Sequence, residues 1–231
     1  MSTVTETQKP TTQPQELPAE PRSRRGTPTW EMARFHPYQG EWTEEQYLSL
    51  ETNHLVEYNN GMLEFQSMPT KTHQRLVMFL SFLLNEFVKC HEAGEVLIAP
   101  FRIRTSDGKF REPDILYLAP SRPQSNRFAE GADLVIEVVS EGEDSRDRDL
   151  VEKRIEYAAS GIPEYWIVDP ETKTISVLTL DNDAYKSHGE FKPGESATSV
   201  LLEGFTVDVK SCFDAAFVEE GTAEDTEQTK G

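Results

Sequence analysis

One run constrains the fold of this chain more than any other: Asp133-Leu134-Val135-Ile136-Glu137-Val138-Val139-Ser140. A near-continuous aliphatic stretch of this length, bounded by polar residues, predicts a strand buried on both faces of a sheet. Glu137 interrupts it. A carboxylate in such a place carries a large desolvation cost unless it meets a metal, a cation or a proton. The strand therefore needs covered faces, and Glu137 needs a partner brought from elsewhere in the chain.

The surrounding segments alternate between helix and strand signals. Thr43-Glu44-Glu45-Gln46 suits the capped start of a short helix within 41–50. Extended runs at His54 to Tyr58 and Met62 to Gln66 flank Asn59-Asn60-Gly61, the strongest hairpin signal in the chain. From Thr70 or Thr72 a helix is expected to about His91, because Leu76, Val77, Leu80, Leu83, Leu84, Phe87 and Val88 recur at helical spacing. Further strands are expected at Glu95 to Arg104, Asp114 to Leu118, Asp133 to Val139, Glu164 to Val168 and Thr174 to Leu180. One or two more are expected in Ser199 to Val209, and a second helix from about Ser145 to Ser160, stopping at Gly161. The pattern predicts a single α/β domain, a mixed central β-sheet flanked by helices.

The 231 residues, 36% hydrophobic, suffice for one domain with tails. The Pro-rich polar leader 1–28 and the acidic tail 215–231 are expected to be disordered, leaving a folded unit over 29–214. Net charge is −18, and 29–214 alone hold 33 acidic and 18 basic residues. That balance opposes a broad non-specific nucleic-acid surface. It leaves room for a local site where acidic residues hold metal ions. No run of about 18 apolar residues suggests a membrane span, and the N-terminus has no apolar segment of the secretory type. Two cysteines, Cys90 and Cys212, cannot build a disulfide framework, so a reducing cytoplasm is expected.

A second carboxylate lies in Arg111-Glu112-Pro113-Asp114-Ile115-Leu116-Tyr117-Leu118. Pro113 cannot donate to a ladder, so it marks a strand start with Asp114 at its mouth. On neighbouring strands Asp114 and Glu137 can meet at strand ends, with the Val138 backbone carbonyl as a further oxygen. Such a set suits Mg²⁺ or Mn²⁺ rather than zinc. In the following helix Leu150, Val151, Ile155 and Ala158 are expected to form the core face. Lys153 falls on its flank beside Tyr157, and Arg154 falls inside the apolar arc. The helix thus delivers one or two cations toward two carboxylates. Phosphodiester hydrolysis uses such a set: a metal polarises the phosphate and acidifies its water, while a lysine orients that water or stabilises developing charge.

These residues resemble the Uma-type family of restriction-endonuclease-like proteins, within the PD-(D/E)xK nuclease superfamily. The resemblance spans about 41–213. It is carried by Val56-Glu57-Tyr58-Asn59-Asn60-Gly61, Thr72-His73-Gln74, Glu112-Pro113-Asp114, Ile136-Glu137-Val138-Val139-Ser140, Asp147 to Tyr157, and Gly161-Ile162-Pro163-Glu164-Tyr165-Trp166-Ile167-Val168-Asp169. It implies a restriction-endonuclease-like fold and a Mg²⁺- or Mn²⁺-dependent endonuclease acting on DNA, with Asp114 and Glu137 as the metal-binding carboxylates. Position 139, two after Glu137, is valine where the superfamily pattern has lysine. The resemblance points instead to Lys153, on the following helix.

The same residues have structural readings. Asp114 can cap a turn, Glu137 can pair with Arg154 or Lys153, and Lys153 can pair with Asp149 one turn earlier. Glu57 is either a third carboxylate of the site or an exposed strand residue. His73 is either a core histidine or an accessory site residue; Arg154 is either an accessory site residue or a side chain that exits to solvent. Tyr157 is either an accessory site residue or a packing residue, and Trp166 reads as packing. The acidic run Glu141-Gly142-Glu143-Asp144 reads as a solvated loop whose charge opposes a DNA backbone. Two alternatives to a nuclease therefore stand: a catalytically silent or regulatory module that binds a partner protein, and a hydrolase of a small phosphorylated substrate. A homodimer would suit cleavage of both strands of a duplex.

Overall fold

A computed structural model describes residues 37–52, 54–140 and 148–217. The leader 1–28, the loop Glu141 to Asp144, Asp147 and nearly all of the tail lie outside the described residues.

The chain opens with helix α1 (Glu44–Leu48). Thr43 caps it in a reciprocal box, its hydroxyl accepting from the Gln46 amide while the Gln46 side chain accepts from the Thr43 amide. Strands β1 (Val56–Asn59) and β2 (Met62–Phe65) form the expected hairpin. Its turn places Asn60 at φ 48° and Gly61 at φ 86°, the left-handed pair that an Asn-Gly turn provides. Helix α2 (Lys71–Cys90) starts at Thr70, whose hydroxyl accepts from the His73 amide. Its stripe buries Leu76, Leu80 and Leu84 completely, each contributing on the order of 1.5–3 kcal/mol relative to exposure.

β1 and β2 belong to a five-stranded sheet of order β2-β1-β5-β4-β7, completed by β4 (Arg102–Ser106), β5 (Lys109–Arg111) and β7 (Phe128–Glu130). It packs with α1 around Trp42, Tyr47, Val56, Tyr58, Leu63 and Phe110. A six-stranded sheet runs β11-β10-β9-β8-β6-β3. Its members are β3 (Glu95–Ile98), β6 (Ile115–Leu118), β8 (Leu134–Val138), β9 (Glu164–Asp169), β10 (Thr174–Asp181) and β11 (Ala184–Phe191). β8 and β9 pair in parallel and the other neighbours antiparallel. Every residue of β6, β8 and β9 is buried, as the aliphatic run around Glu137 requires. One face, with Ile115, Ile136 and Trp166, packs in one core with residues of α2 and of α4 (Val209–Ala216). The other, with Leu116, Val135 and Tyr165, packs with residues of α3 (Lys153–Ala159). A ribbon of β12 (Ser196–Thr198) and β13 (Thr206–Asp208) closes the architecture.

Strands β5, β7 and β12 fall outside every expected strand, and four further features depart from the sequence expectations. The stretch Glu95 to Arg104 is two strands in different sheets, divided at Ala99-Pro100, because proline has no N–H for a ladder. β11 was not anticipated: apart from Tyr185 its residues are exposed or half-buried, so no apolar alternation marks it. Val209 starts a helix instead of ending a strand; Asp208 caps it by accepting from the Ser211 amide. Finally, α3 is preceded by a π-helical turn at Arg148–Glu152. That turn shifts the helical phase, so a 3.6-residue count misassigns the face. Val151 and Ile155 are exposed, while Lys153, Tyr157 and Ala158 are buried. Arg154 is outside the apolar arc, exposed, its guanidinium donating to the Tyr185 carbonyl at 3.2 Å.

Candidate active site

β6 and β8 pair as Ile115 with Ile136 and Leu116 with Val135. Continued by one residue, that register sets Asp114 opposite Glu137 at the strand end. The tie is explicit: the Val138 amide donates to Asp114 Oδ2 at 2.8 Å, locking the carboxylate against the neighbouring strand. The same oxygen lies 3.2 Å from His73 Nε2, on the first turn of α2. His73 is mostly buried, and its Nδ1 has no hydrogen-bond partner among the described residues.

Glu137 is met from the other side by α3. Lys153 Nζ lies 2.8 Å from Glu137 Oε2, with both side chains about 95% buried. One helical turn on, the Tyr157 hydroxyl donates to Glu137 Oε1 at 2.7 Å. The spacing of four residues puts Lys153 and Tyr157 on one helix face. Burial, and then the Glu137 charge, push the Tyr157 hydroxyl well above its ordinary pKa, so it remains a donor.

A third carboxylate, Glu57 on β1, lines the same cleft, and so does Glu112. Glu57 Oε2 accepts from Arg111 Nη1 at 3.0 Å and from the Gln66 amide group at 2.7 Å. Its burial raises its pKa, opposed by Arg111 and by Lys153. Glu112 accepts from the Val56 amide at 2.9 Å and from Arg102 at 3.3 Å. Burial pushes its carboxyl up to about 8, with Arg102 pulling down and Glu57 adding to the rise. Sequence reasoning assigned no role to Arg111 or Glu112, although both stand directly before Pro113-Asp114. Arg111 binds Glu57 and Glu64 from the hairpin and Glu156 from α3, and is itself buried.

The structure thus brings Glu57, His73, Asp114, Glu137, Val138 and Lys153 to one cleft of about 160 Å³. Tyr157 supports it from beneath, and Arg154 is not among its lining residues. Trp166 is a core residue whose indole N–H donates to Glu164 at 2.6 Å. Among the described residues no group of three or more His, Cys, Asp or Glu side chains is gathered to hold a metal. Two carboxylates and a backbone carbonyl nevertheless fit a hard cation that keeps much of its water, the usual habit of Mg²⁺. Each carboxylate oxygen offers more than one lone pair, so the Lys153 and Tyr157 contacts leave Glu137 able to serve such an ion.

A mixed sheet with helices on both faces, and acidic residues at adjoining strand ends, places the protein in the mixed α/β class. A family model named Uma2, described as "Putative restriction endonuclease", matches residues 44–210, and the chain belongs to that family. Among solved structures it is similar to "a putative nuclease belonging to DUF820" from Anabaena variabilis ATCC 29413. That match has 19% identity and a TM-score of 0.62, and covers 76% of this chain and 99% of the other. At that identity the likeness concerns the fold. No curated protein matches the chain. No helix among the described residues is long and apolar enough to cross a membrane.

Proposed function

We propose that this protein is a metal-dependent endonuclease, hydrolysing phosphodiester bonds with water as nucleophile. The observation that carries this reading is the buried contact between Lys153 and Glu137, at 2.8 Å, in the cleft that Asp114 also lines. A lysine supplied by the next helix takes the place of the missing lysine at 139. Asp114, Glu137 and the Val138 carbonyl would hold one Mg²⁺ or Mn²⁺. That ion would polarise the phosphate and lower the pKa of a bound water.

The chain's own groups prepare this chemistry. The Val138 amide and His73 orient Asp114; Tyr157 and Lys153 orient Glu137. The Lys153 ammonium is held where it can stabilise charge developing on the phosphate oxygens. The carboxyl groups of Glu57, Glu112, Asp114 and Glu137 outnumber the Lys153 ammonium on the cleft walls. An anionic backbone would be repelled until a divalent cation is loaded, which couples substrate entry to the metal.

The test is incubation of purified protein with plasmid, short duplexes and single strands, with Mg²⁺ or Mn²⁺ and with EDTA. Cleavage should require the metal. Lys153→Met should reduce it by roughly 10²-fold or more, read under conditions where the variant is folded, since removing one partner of a buried ion pair also lowers stability by about 3–5 kcal/mol. Full activity in that variant would remove Lys153 from the chemistry. Absence of cleavage from the parent under every metal condition would favour a silent, partner-binding role.

A further inference from the structure

A second, larger cleft of about 530 Å³ adjoins the candidate active site; the two share Ser67, Pro69, His73 and Ser140. Its size falls in the range of about 300–1,000 Å³ typical of small-molecule sites. We propose that it is a subsite for one unstacked nucleobase. The substrate class is then a single-stranded or frayed nucleic acid rather than an intact duplex. The proposal rests on the phosphodiester reading and specifies which part of the substrate lies beside the reacting phosphate.

The lining chemistry selects a base over a phosphate. Among the described residues neither lysine nor arginine lines this cleft, and Glu171 is the one carboxylate that does. A phosphate would be repelled there, whereas a carboxylate accepts well from the exocyclic amino group of a base. The apolar part comes from Met68, 83% exposed, and Phe217, 43% exposed. Neither is covered as a core residue would be, and both present surface on which a flat ring can stack. Lys173 Nζ lies over one face of the Phe217 ring, 5.0 Å from its centre, so a base would stack on the other face with positive charge at the rim.

The boundary with the catalytic cleft suits the sugar-phosphate that would join the two sites. Thr70 and Thr72 stand at the start of the 20-residue α2, whose N-terminal end carries partial positive charge. His73, in that first turn, lines both clefts and keeps a buried Nδ1 without a hydrogen-bond partner among the described residues. A nucleotide with its phosphate at Asp114 and Glu137 and its base toward Phe217 would span this boundary. A paired base cannot enter without leaving its stack, at a cost of a few kcal/mol that a single strand avoids. The net charge of −18 adds to the preference, because a duplex presents more phosphates to an acidic surface.

The experiment measures binding by fluorescence anisotropy, using the full-length protein with Ca²⁺ in place of Mg²⁺. Three labelled probes of equal length are compared: a 12-nucleotide single strand, the blunt duplex of that sequence, and a single strand of abasic residues. The single strand should bind about tenfold tighter than the duplex. Combined Phe217→Ala and Met68→Ala should weaken the base-bearing strand by about tenfold and leave the abasic strand unchanged, as expected for loss of one stacked base. Glu171→Lys should narrow the gap between base-bearing and abasic strands by attracting phosphate. Equal losses on both strands, or none, overturn the subsite. Metal-dependent plasmid cleavage by the same proteins would then leave the nuclease reading standing. Failure to bind any probe, together with failure to cleave, overturns both.

Discussion

Glu112 shows how one residue can report on the cleft. Its side chain is 2% exposed, fixed by the Val56 amide and Arg102, and burial raises its pKa to about 8. Unfolded, the same carboxyl titrates near 4.5. Between those values the folded state holds a proton that the unfolded state has released. Stability from this group is therefore fully present below about pH 4.5 and is lost as pH rises through about 8. The slope is about 1.4 kcal/mol per pH unit while only the folded form stays protonated. Glu112→Gln fixes the neutral form. Thermal unfolding of parent and variant between pH 5 and 9 should diverge, the variant being relatively more stable at the alkaline end. Parallel curves would show that Glu112 ionises normally.

At the scale of elements, the site depends on how α3 is anchored. Arg111 on β5 donates to Glu156 through Nε at 3.0 Å and Nη2 at 2.7 Å. Through Nη1 it reaches Glu57 on β1 and Glu64 on β2. Thr105 on β4 also donates to Glu156, at 2.7 Å. Burial opposes ionisation of Glu156, yet these bonds hold its pKa below the ordinary value. One guanidinium thus joins the five-stranded sheet to the helix that carries Lys153 and Tyr157. Arg111→Met would leave three carboxylates around an apolar stem. A loss of about 3–5 kcal/mol is expected, the usual cost of removing one partner from a buried ion pair. Urea denaturation measures it; a loss under 1 kcal/mol would mean that the carboxylates re-pair or protonate cheaply.

For the whole molecule, the proposed function would link acidity to a bound cation. A cleft lined by Glu57, Glu112, Asp114 and Glu137 should gain stability when a divalent ion binds the folded state alone. At a metal concentration of 100 times Kd that gain is about 2.7 kcal/mol, or roughly 5–10 °C in Tm for a domain of this size. Mn²⁺ should raise the Tm, EDTA should reverse the shift, and Asp114→Asn with Glu137→Gln should abolish it. A shift that survives the double substitution would place the ion elsewhere.

The sequence by itself determined the elements whose signals are local. The capping box of α1, the Asn-Gly hairpin, the stripe of α2 and the buried strand around Glu137 all follow from short-range sterics and burial periodicity. Asp114 and Glu137 were legible as a pair because a proline-marked strand start and an interrupted aliphatic run are local features too. Tertiary structure alone decided their surroundings. The π-helical turn reset the face of α3, burying Lys153 and exposing Arg154, because a 3.6-residue count does not survive a wider turn. Arg111 gained its role from partners 45 to 54 residues away and Glu112 from Val56, 56 residues away, brought near by sheet pairing that no local pattern encodes. The polar edge strand β11 was fixed by hydrogen bonds to β10, where apolar alternation had no part.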